Sequence, residues 1–145
     1  MAIAQIHLSA GRIDDARAAS RRLGGIAPQS AVVADHLGLS FAEKGLYSEA
    51  RDLFQRAMRV QRNYAPVLNN LGVLYLKMGQ PGDAIAAFRY GIREAPEDDM
   101  LYLNLGRVYI QTGERDKARA VIMEWLERKP GNEKAQRALQ EVDSR

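Results

Sequence analysis

Few side chains in this sequence are suited to catalysis or to binding a metal ion. There is no cysteine, which excludes thiolate chemistry and disulfide bonds. The two histidines, His7 and His36, each lack a second histidine four residues away that would complete a metal-binding pair. The acidic pairs Asp14–Asp15 and Asp98–Asp99 stand where helices are expected to begin, and the helix dipole favours negative charge there. We therefore predict a protein that is not an enzyme and that binds neither a metal ion nor another cofactor.

Two asparagines offer a different chemistry. Asn70 and Asn104 are 34 residues apart. A carboxamide both donates and accepts hydrogen bonds, so it can bind a peptide backbone whatever side chains that peptide carries. The alternative is that each asparagine forms hydrogen bonds within its own scaffold. The sequence leaves both interpretations open.

The 34-residue spacing is shared by other residues. A Leu-Gly pair occurs at positions 37–38, 71–72 and 105–106, and an aromatic residue follows each pair. Four glycines, four alanines and two phenylalanines keep the same spacing: Gly11, Gly45, Gly79, Gly113; Ala16, Ala50, Ala84, Ala118; Phe54, Phe88. Ile122 stands where a third phenylalanine would be. Self-similarity at this period is typical of a solenoid.

Each period is consistent with two short helices. Leu68, Leu71 and Leu74 lie on one face of a first helix, which ends at Gly79. Gly72, in the middle of that helix, costs about 0.5–1 kcal/mol relative to alanine, which indicates close approach of a second helix. In the preceding period, Ser48 is predicted to be the N-cap of the second helix.

This pattern resembles that of the tetratricopeptide repeat family, whose 34-residue unit carries a Leu-Gly, Tyr, Ala, Phe, Ala, Pro pattern. The resemblance covers roughly nine tenths of the chain. It implies an all-α fold, a right-handed superhelical solenoid of antiparallel helix pairs with a C-terminal capping helix. A single domain would span residues 1–145, with units 1–30 (truncated), 31–64, 65–98 and 99–132, and a capping helix at 133–143.

The two ends of the predicted array differ. Trp125 replaces the small residue seen as Ala57 and Gly91, which suits a terminal repeat, and residues 133–142 carry an apolar stripe opposite polar residues, as a cap requires. At the other end, a complete first unit would need four residues before Met1. We expect a fragment of a longer protein; the alternative is a chain that begins here with a degenerate first repeat.

The family resemblance also implies a binding site. In the family, the first helix of each pair lines a concave groove, and exposed residues of these helices contact the ligand. The implied groove residues are Asp35, His36, Leu39, Asn69, Asn70, Val73, Lys77, Leu103, Asn104, Arg107 and Gln111. Asn70 and Asn104 would hold the backbone of an extended ligand. Asp35, Lys77 and Arg107 would select its charge.

Within this groove, Leu39, Val73 and Leu103 would form an apolar floor, although ordinary packing between repeats explains them equally well. The implied function is a scaffold or adaptor that binds an extended peptide or a helix of another protein.

One specialisation of the family is not expected. Members that bind the acidic C-terminus of chaperones need a lysine two residues before the leucine and an asparagine after the glycine of their first repeat. Here those positions hold Asp35 and Leu39, or Met1 and Gln5 if the frame begins one unit earlier. Asn70 alone fits the pattern, in the frame that begins with the second unit. We therefore predict a different ligand.

Two other functions remain as alternatives. The first is self-association through an apolar N-terminal edge formed by Ile3, Ile6 and Ile13, because an exposed apolar patch favours a partner. The second is RNA binding, since arginines are frequent in the first half of the chain. These arginines fall mostly in the second helices and are mixed with acidic residues, so a solvated surface explains them better, and we predict no nucleic-acid partner.

Composition gives few further limits. The net charge is +3 over 145 residues, which is too small to indicate an anionic partner, and no apolar run approaches the roughly 18 residues of a membrane span. We predict no direct membrane insertion. The N-terminal residues lack the basic segment of a signal peptide, and the absence of cysteine suits a reducing compartment. The predicted location is the cytoplasm, with the periplasm as the alternative.

Overall fold

We describe a computed structural model, which covers residues 2–25 and 30–144. These residues form nine α-helices and no strand, so the predicted all-α solenoid is confirmed. The helices are α1 (Ala2–Ser9), α2 (Ile13–Gly25), α3 (Ala31–Glu43), α4 (Tyr47–Val60), α5 (Ala65–Lys77), α6 (Pro81–Glu94), α7 (Asp99–Gln111), α8 (Arg115–Arg128) and α9 (Glu133–Asp143). Within the described ranges, no helix is long and apolar enough to cross a membrane.

The same glycine turn ends α1, α3, α5 and α7. Gly11, Gly45, Gly79 and Gly113 have φ angles of 72°, 73°, 71° and 80°, in the left-handed region that glycine adopts without strain. After α3, the Gly45 amide donates to the Ala42 carbonyl and the next amide, of Leu46, donates to the Phe41 carbonyl. This is the Schellman arrangement, in which otherwise unpaired carbonyls at a helix end are satisfied. The repeated turn therefore fixes how each first helix connects to its partner.

Inside each pair, a small residue on one helix admits a large residue from the other. A Cβ atom added to Gly38 would lie 2.5 Å from the Phe54 ring, and one added to Gly72 would lie 2.3 Å from the Phe88 ring. Both phenylalanines are buried, as are Ala50, Ala84 and Ala118 at the start of the second helices. The absence of a side chain at the Leu-Gly positions thus brings α3 against α4 and α5 against α6.

The helix N-termini differ from one another. Asp98 caps α7 through its carboxylate, which accepts from the amides of Met100 and Leu101, and Asn132 caps α9 by accepting from the Ala135 amide. The prediction that Ser48 caps α4 is wrong. The helix already begins at Tyr47, directly after the turn that starts at Gly45, and no side chain caps it.

The C-terminal helix α9 packs on α8. Ala135 and Val142 are buried, while Glu133, Arg137 and Gln140 are exposed. The Trp125 indole is 1% exposed and stacks on the Tyr102 ring with centroids 5.9 Å apart. The last repeat is therefore closed by large aromatic rings, where the preceding repeats use small residues.

At the N-terminal end, α1 packs on α2 through buried Ala4 and Leu8, whereas Ile3 is 65% and Ile6 is 57% exposed. Pro28, which falls at the end of the predicted first unit, lies outside the described residues. The division of the chain into units beginning at residues 1, 31, 65 and 99 stays a prediction.

Candidate peptide-binding groove

The eleven predicted groove residues lie on the three first helices α3, α5 and α7, and their exposure varies. His36, Lys77, Arg107 and Gln111 are exposed. Six others are half-buried: Leu39, Asn69, Asn70, Val73, Leu103 and Asn104. Asp35 is 2% exposed, and this differs from its expected place on an open groove surface. Its position along the repeat, shared with Asn69 and Leu103, faces the neighbouring first helix.

Hydrogen bonds between side chains join the first helices to one another. The Asn70 Nδ2 donates to the Asp35 Oδ1 at 2.8 Å, and the Asn104 Nδ2 donates to the Asn69 Oδ1 at 2.6 Å. Both bonds link residues 35 apart in sequence, so they are the same contact made at successive junctions. The side-chain amides of Asn70 and Asn104 therefore each donate one hydrogen bond within the scaffold, as the alternative interpretation predicts.

The asparagines keep unused hydrogen-bonding groups. Within the described residues, the Oδ1 atoms of Asn70 and Asn104 and the Nδ2 of Asn69 have no hydrogen-bond partner in the structure. Because the other end of each amide is fixed by the contact between helices, these groups are held in one orientation. Such preorganisation lowers the entropy that a ligand loses on binding.

The buried carboxylate of Asp35 has an unusual environment. Burial raises the pKa of Asp35 above its ordinary value, although the hydrogen bond from Asn70 and the nearby His36 act in the opposite direction. The carboxylate accepts one hydrogen bond, from Asn70, among the described residues. The carboxylate is thus inaccessible to direct contact from the groove, and it is poorly placed to form an ion pair with a ligand.

Exposed cations and half-buried apolar side chains share the groove surface. Leu39, Val73 and Leu103 pack against the core while remaining partly accessible. Lys77 and Arg107 are exposed, and no carboxylate of the described residues lies within 4 Å of either. The groove therefore combines shallow apolar contacts with unneutralised positive charge.

The acidic pairs and His7 lie beside other side chains of the scaffold. Asp98 caps α7, while the Asp99 carboxylate accepts from Trp125 Nε1, Lys129 Nζ and Asn132 Nδ2, each at 2.9 Å. The His7 Nδ1 lies 3.7 Å from the Asp15 carboxylate. In the ranges that the structure covers, no three His, Asp or Glu side chains are grouped so as to hold a metal ion.

Sequence reasoning missed a group of residues at the C-terminal end of the groove. A cavity of about 190 Å³ opens between α7, α8 and α9, and four side chains of α9 line it: Lys134, Arg137, Ala138 and Glu141. The repeat pattern itself points to this region. Ala138 follows Asn104 by 34 residues, and Ile122 replaces the phenylalanine of the other repeats. Extending the repeat frame into the capping helix would have included them.

A larger depression, of about 440 Å³, lies between α2 and α4 on the opposite side of the helix pairs. It is lined by side chains of both charges, including Asp14, Arg17 and Glu49. The Arg17 Nε donates to Glu49 at 2.6 Å, so these charges largely neutralise one another.

Comparison with known proteins identifies a sequence family and solved structures with the same fold. Two family models described as tetratricopeptide repeat match residues 29–93 and 75–142. Among curated protein sequences, none matches this chain.

Solved structures with the same fold include three of particular use. The first TPR of Spaghetti (RPAP3) bound to HSP90 peptide SRMEEVD is 19% identical with a TM-score of 0.65, over 80% of this chain and 94% of that one. MamA is 23% identical with a TM-score of 0.70, over 99% and 84% of the two chains. A thermophilic TPR protein of Thermus thermophilus is 20% identical with a TM-score of 0.68, over 98% and 78%.

Proposed function

Because the chain belongs to the tetratricopeptide repeat family of protein-interaction modules, we propose that it is an adaptor that binds an extended peptide of another protein in the groove of α3, α5 and α7. The observation that carries this proposal is the surface of the first helices. Preoriented amide groups of Asn69, Asn70 and Asn104 lie among half-buried apolar side chains and exposed cations.

The free hydrogen-bonding groups of this surface are complementary to those of a peptide backbone. A peptide backbone offers both N–H and C=O groups, and the asparagine row presents two free carbonyl oxygens and one free amide nitrogen. A structure with the same fold contains the HSP90 peptide SRMEEVD, which supports a peptide as the class of ligand. The lysine that the chaperone-binding pattern requires is replaced here by Asp35, so we propose a different peptide. Contacts of this kind give roughly micromolar affinity.

The test compares capture of partners from a lysate of the source organism by the wild type and by Val73→Glu/Lys77→Glu. This variant places two carboxylates on the groove face of α5. A matched control, Val60→Glu/Arg59→Glu, makes the same change of charge on the exposed surface of α4. Circular dichroism must first show equal helicity. We expect a partner that the wild type and the control capture and that the groove variant loses. Equal capture by all three proteins would place binding outside the groove.

A second function is supported by the exposed edge of α1. Ile3 is 65% exposed, although the corresponding Leu37, Leu71 and Leu105 are 2%, 8% and 0% exposed. Helix α1 carries no Asp, Glu, Lys or Arg, so two copies could meet through α1 without charge repulsion. We propose this self-association as the alternative. Light scattering at high concentration should give a dimer mass for the wild type and a monomer mass for Ile3→Glu/Ile6→Glu. A monomer mass for the wild type contradicts the proposal.

We further propose that nucleic acid is not the partner. Several arginines of the second helices have acidic neighbours, with Arg17 bonded to Glu49 and Arg89 to Glu124. Phosphate contacts weaken steeply as salt rises, so partner capture that persists between 50 and roughly 200 mM salt would support this proposal.

A further inference from the structure

The contact between the two helices of a pair is filled in different ways along the array. In α3 and α5, the Leu-Gly glycine is covered by a phenylalanine ring, which lies 2.5 Å and 2.3 Å from the position of an added Cβ. In α7, the side chain over Gly106 is Ile122, and its nearest atoms lie 3.6 Å from that position. Isoleucine is shorter than phenylalanine, so space remains beside the Gly106 backbone.

The opposite wall of this space has also changed. The hydrogen-bonded pairs Asp35–Asn70 and Asn69–Asn104 recur at a spacing of 34 residues, and the next pair in this series is Leu103 and Ala138. Neither can form a side-chain hydrogen bond, and both line the 190 Å³ cavity. A second depression of about 310 Å³ continues from it along α7 and shares Ile110 as part of its wall. The polar contact between helices is thus replaced by an apolar opening.

Positive charge surrounds this opening. Arg107, Lys134 and Arg137 line the cavity, Arg115 lines the adjoining depression, and Glu141 is the one carboxylate among the described residues that lines either. Arg137 is paired with Glu133 at 3.2 Å, but both side chains are more than 70% exposed, and such pairs contribute little. Among the described residues, no carboxylate lies within 4 Å of the Arg107, Arg115 or Lys134 charges.

We propose that this pocket, formed by Leu103, Gly106, Ile110, Ile122 and Ala138, binds an aliphatic side chain of an acidic partner peptide. The volume suits a side chain, because a cavity of about 150 Å³ holds benzene, whereas pockets for drug-sized molecules begin at about 300 Å³. Carboxylates on either side of the aliphatic residue would face Arg107, Lys134 and Arg137. The proposal rests on the proposed function of the groove and names the class of peptide that the groove takes.

The test uses three fluorescein-labelled peptides and measures their anisotropy with the whole chain. The first is Asp-Glu-Leu-Glu-Asp, the second has Ala in place of Leu, and the third has Asn and Gln in place of Asp and Glu. We expect the first peptide to bind at least about tenfold more tightly than either of the others, since burial of the leucine side chain and neutralisation of the cations both contribute.

Two variants locate the binding. Ile122→Phe introduces the ring that covers glycine in the other repeats, and it should weaken binding of the leucine peptide at least about tenfold. Met123→Phe adds the same ring on the exposed surface of α8, outside the pocket, and should bind as the wild type does. If Ile122→Phe proves misfolded by circular dichroism, Lys134→Glu/Arg137→Glu replaces it, because both residues are exposed and their reversal should abolish binding of the acidic peptides.

The outcomes separate this proposal from that of the groove. Equal affinity for the leucine and alanine peptides, undiminished binding by folded Ile122→Phe, or no binding of any peptide at 1 mM protein would each overturn the pocket. Binding of oligouridylate as tight as that of the leucine peptide would also overturn it, since the site would then attract any polyanion. A partner that is lost with Val73→Glu/Lys77→Glu and retained with Ile122→Phe would leave the groove proposal intact and refute the pocket.

Discussion

A junction in this solenoid comprises the contact between the two helices of a pair and the contact of that pair with the next first helix. The interior junctions and the last one share the glycine turn but differ in side-chain chemistry. In the interior, a phenylalanine covers each Leu-Gly glycine, small residues such as Ala57 and Gly91 allow close contact, and amide hydrogen bonds link the first helices. These features recur at a fixed spacing. A junction built in this way can be repeated indefinitely, because each surface is the complement of the one before it.

The last junction is closed on one side and open on the other. At the start of α7, the Asp99 carboxylate accepts three hydrogen bonds. The donors are Trp125 in α8, Lys129 directly after α8, and Asn132 at the N-cap of α9. On the groove side, Ile122 and Ala138 leave an apolar cavity. The glycine turns have similar φ angles throughout the described repeats, whereas the side chains between the helices differ at the last junction. The side chains between the helices are then free to serve closure or binding.

The largest effect that tests this comparison is the response to adding one methyl group. Gly72→Ala places a Cβ 2.3 Å from the buried Phe88 ring, and overpacking of this kind costs about 1–3 kcal/mol. Gly106→Ala meets nothing closer than 3.6 Å and should stabilise the helix by about 0.5–1 kcal/mol. Urea unfolding of the two variants measures the difference. Equal destabilisation would show that the last junction is as tightly filled as the interior ones.

The next effect concerns the closed side of the last junction. Asp99→Ala removes the acceptor of three hydrogen bonds, including that of the buried Trp125 indole, and should lower the free energy of unfolding by about 2 kcal/mol. Asp99→Asn keeps an acceptor for the indole and should lose less. Urea unfolding measures both, and equal losses would show that the indole bond contributes nothing.

The same carboxylate gives this effect a pH dependence. Burial raises the pKa of Asp99, but the hydrogen bonds from Lys129, Asn132 and Trp125 outweigh it and leave the pKa below its ordinary value. The stabilisation is therefore complete above the unfolded pKa of about 3.9 and is lost as pH falls through the folded pKa. The stability difference between wild type and Asp99→Ala should shrink with acidification in that range. A difference that stays constant down to roughly pH 2 would contradict this assignment.

The helix pairs can be predicted from the sequence alone, whereas the contacts between repeats cannot. Gly79 and Phe88 act within one unit, so their spacing predicts both the turn and the packing partner of Gly72. Asp35 and Asn70 belong to different units, and their contact depends on how successive pairs are stacked. For this reason the repeat pattern predicts Asp35 as a groove residue, although the residue is buried.

Two further differences have local causes. The residue type of Ser48 predicts a cap, but the N-cap position of α4 is Leu46 and the helix begins at Tyr47, before the serine. Ile122 was recognised as the counterpart of the phenylalanines, yet the resulting cavity depends on the α9 side chains as well. The groove assignments of Lys77, Arg107 and Gln111 stay predictions, because exposure alone does not show what they bind.

The third effect concerns the first amide contact of the interior. Asp35→Asn converts the Asp35–Asn70 contact into the pair seen at Asn69–Asn104, since the new Oδ1 can still accept from Asn70. Removing a buried charge should stabilise the chain by about 1 kcal/mol at pH 7. Because burial raises the pKa of Asp35, the wild-type carboxylate is destabilising above its folded pKa, and that penalty disappears as pH falls below the unfolded value. The gain should therefore vanish near about pH 3. A variant less stable than wild type at pH 7 would show that the charge itself is stabilising.

The smallest effect is the coupling between Asn69 and Asn104. Their side chains share a 2.6 Å hydrogen bond, and one bond between neutral groups contributes about 0.5–1.5 kcal/mol. In a double-mutant cycle of Asn69→Leu and Asn104→Ala, the double variant reproduces the Leu103–Ala138 pair of the last junction. We expect it to be more stable than the sum of the two single losses predicts, by about that amount. If the losses are additive, the hydrogen bond does not join the helices energetically. The interior and last junctions would then differ in shape alone, and the asparagines would be kept for the ligand.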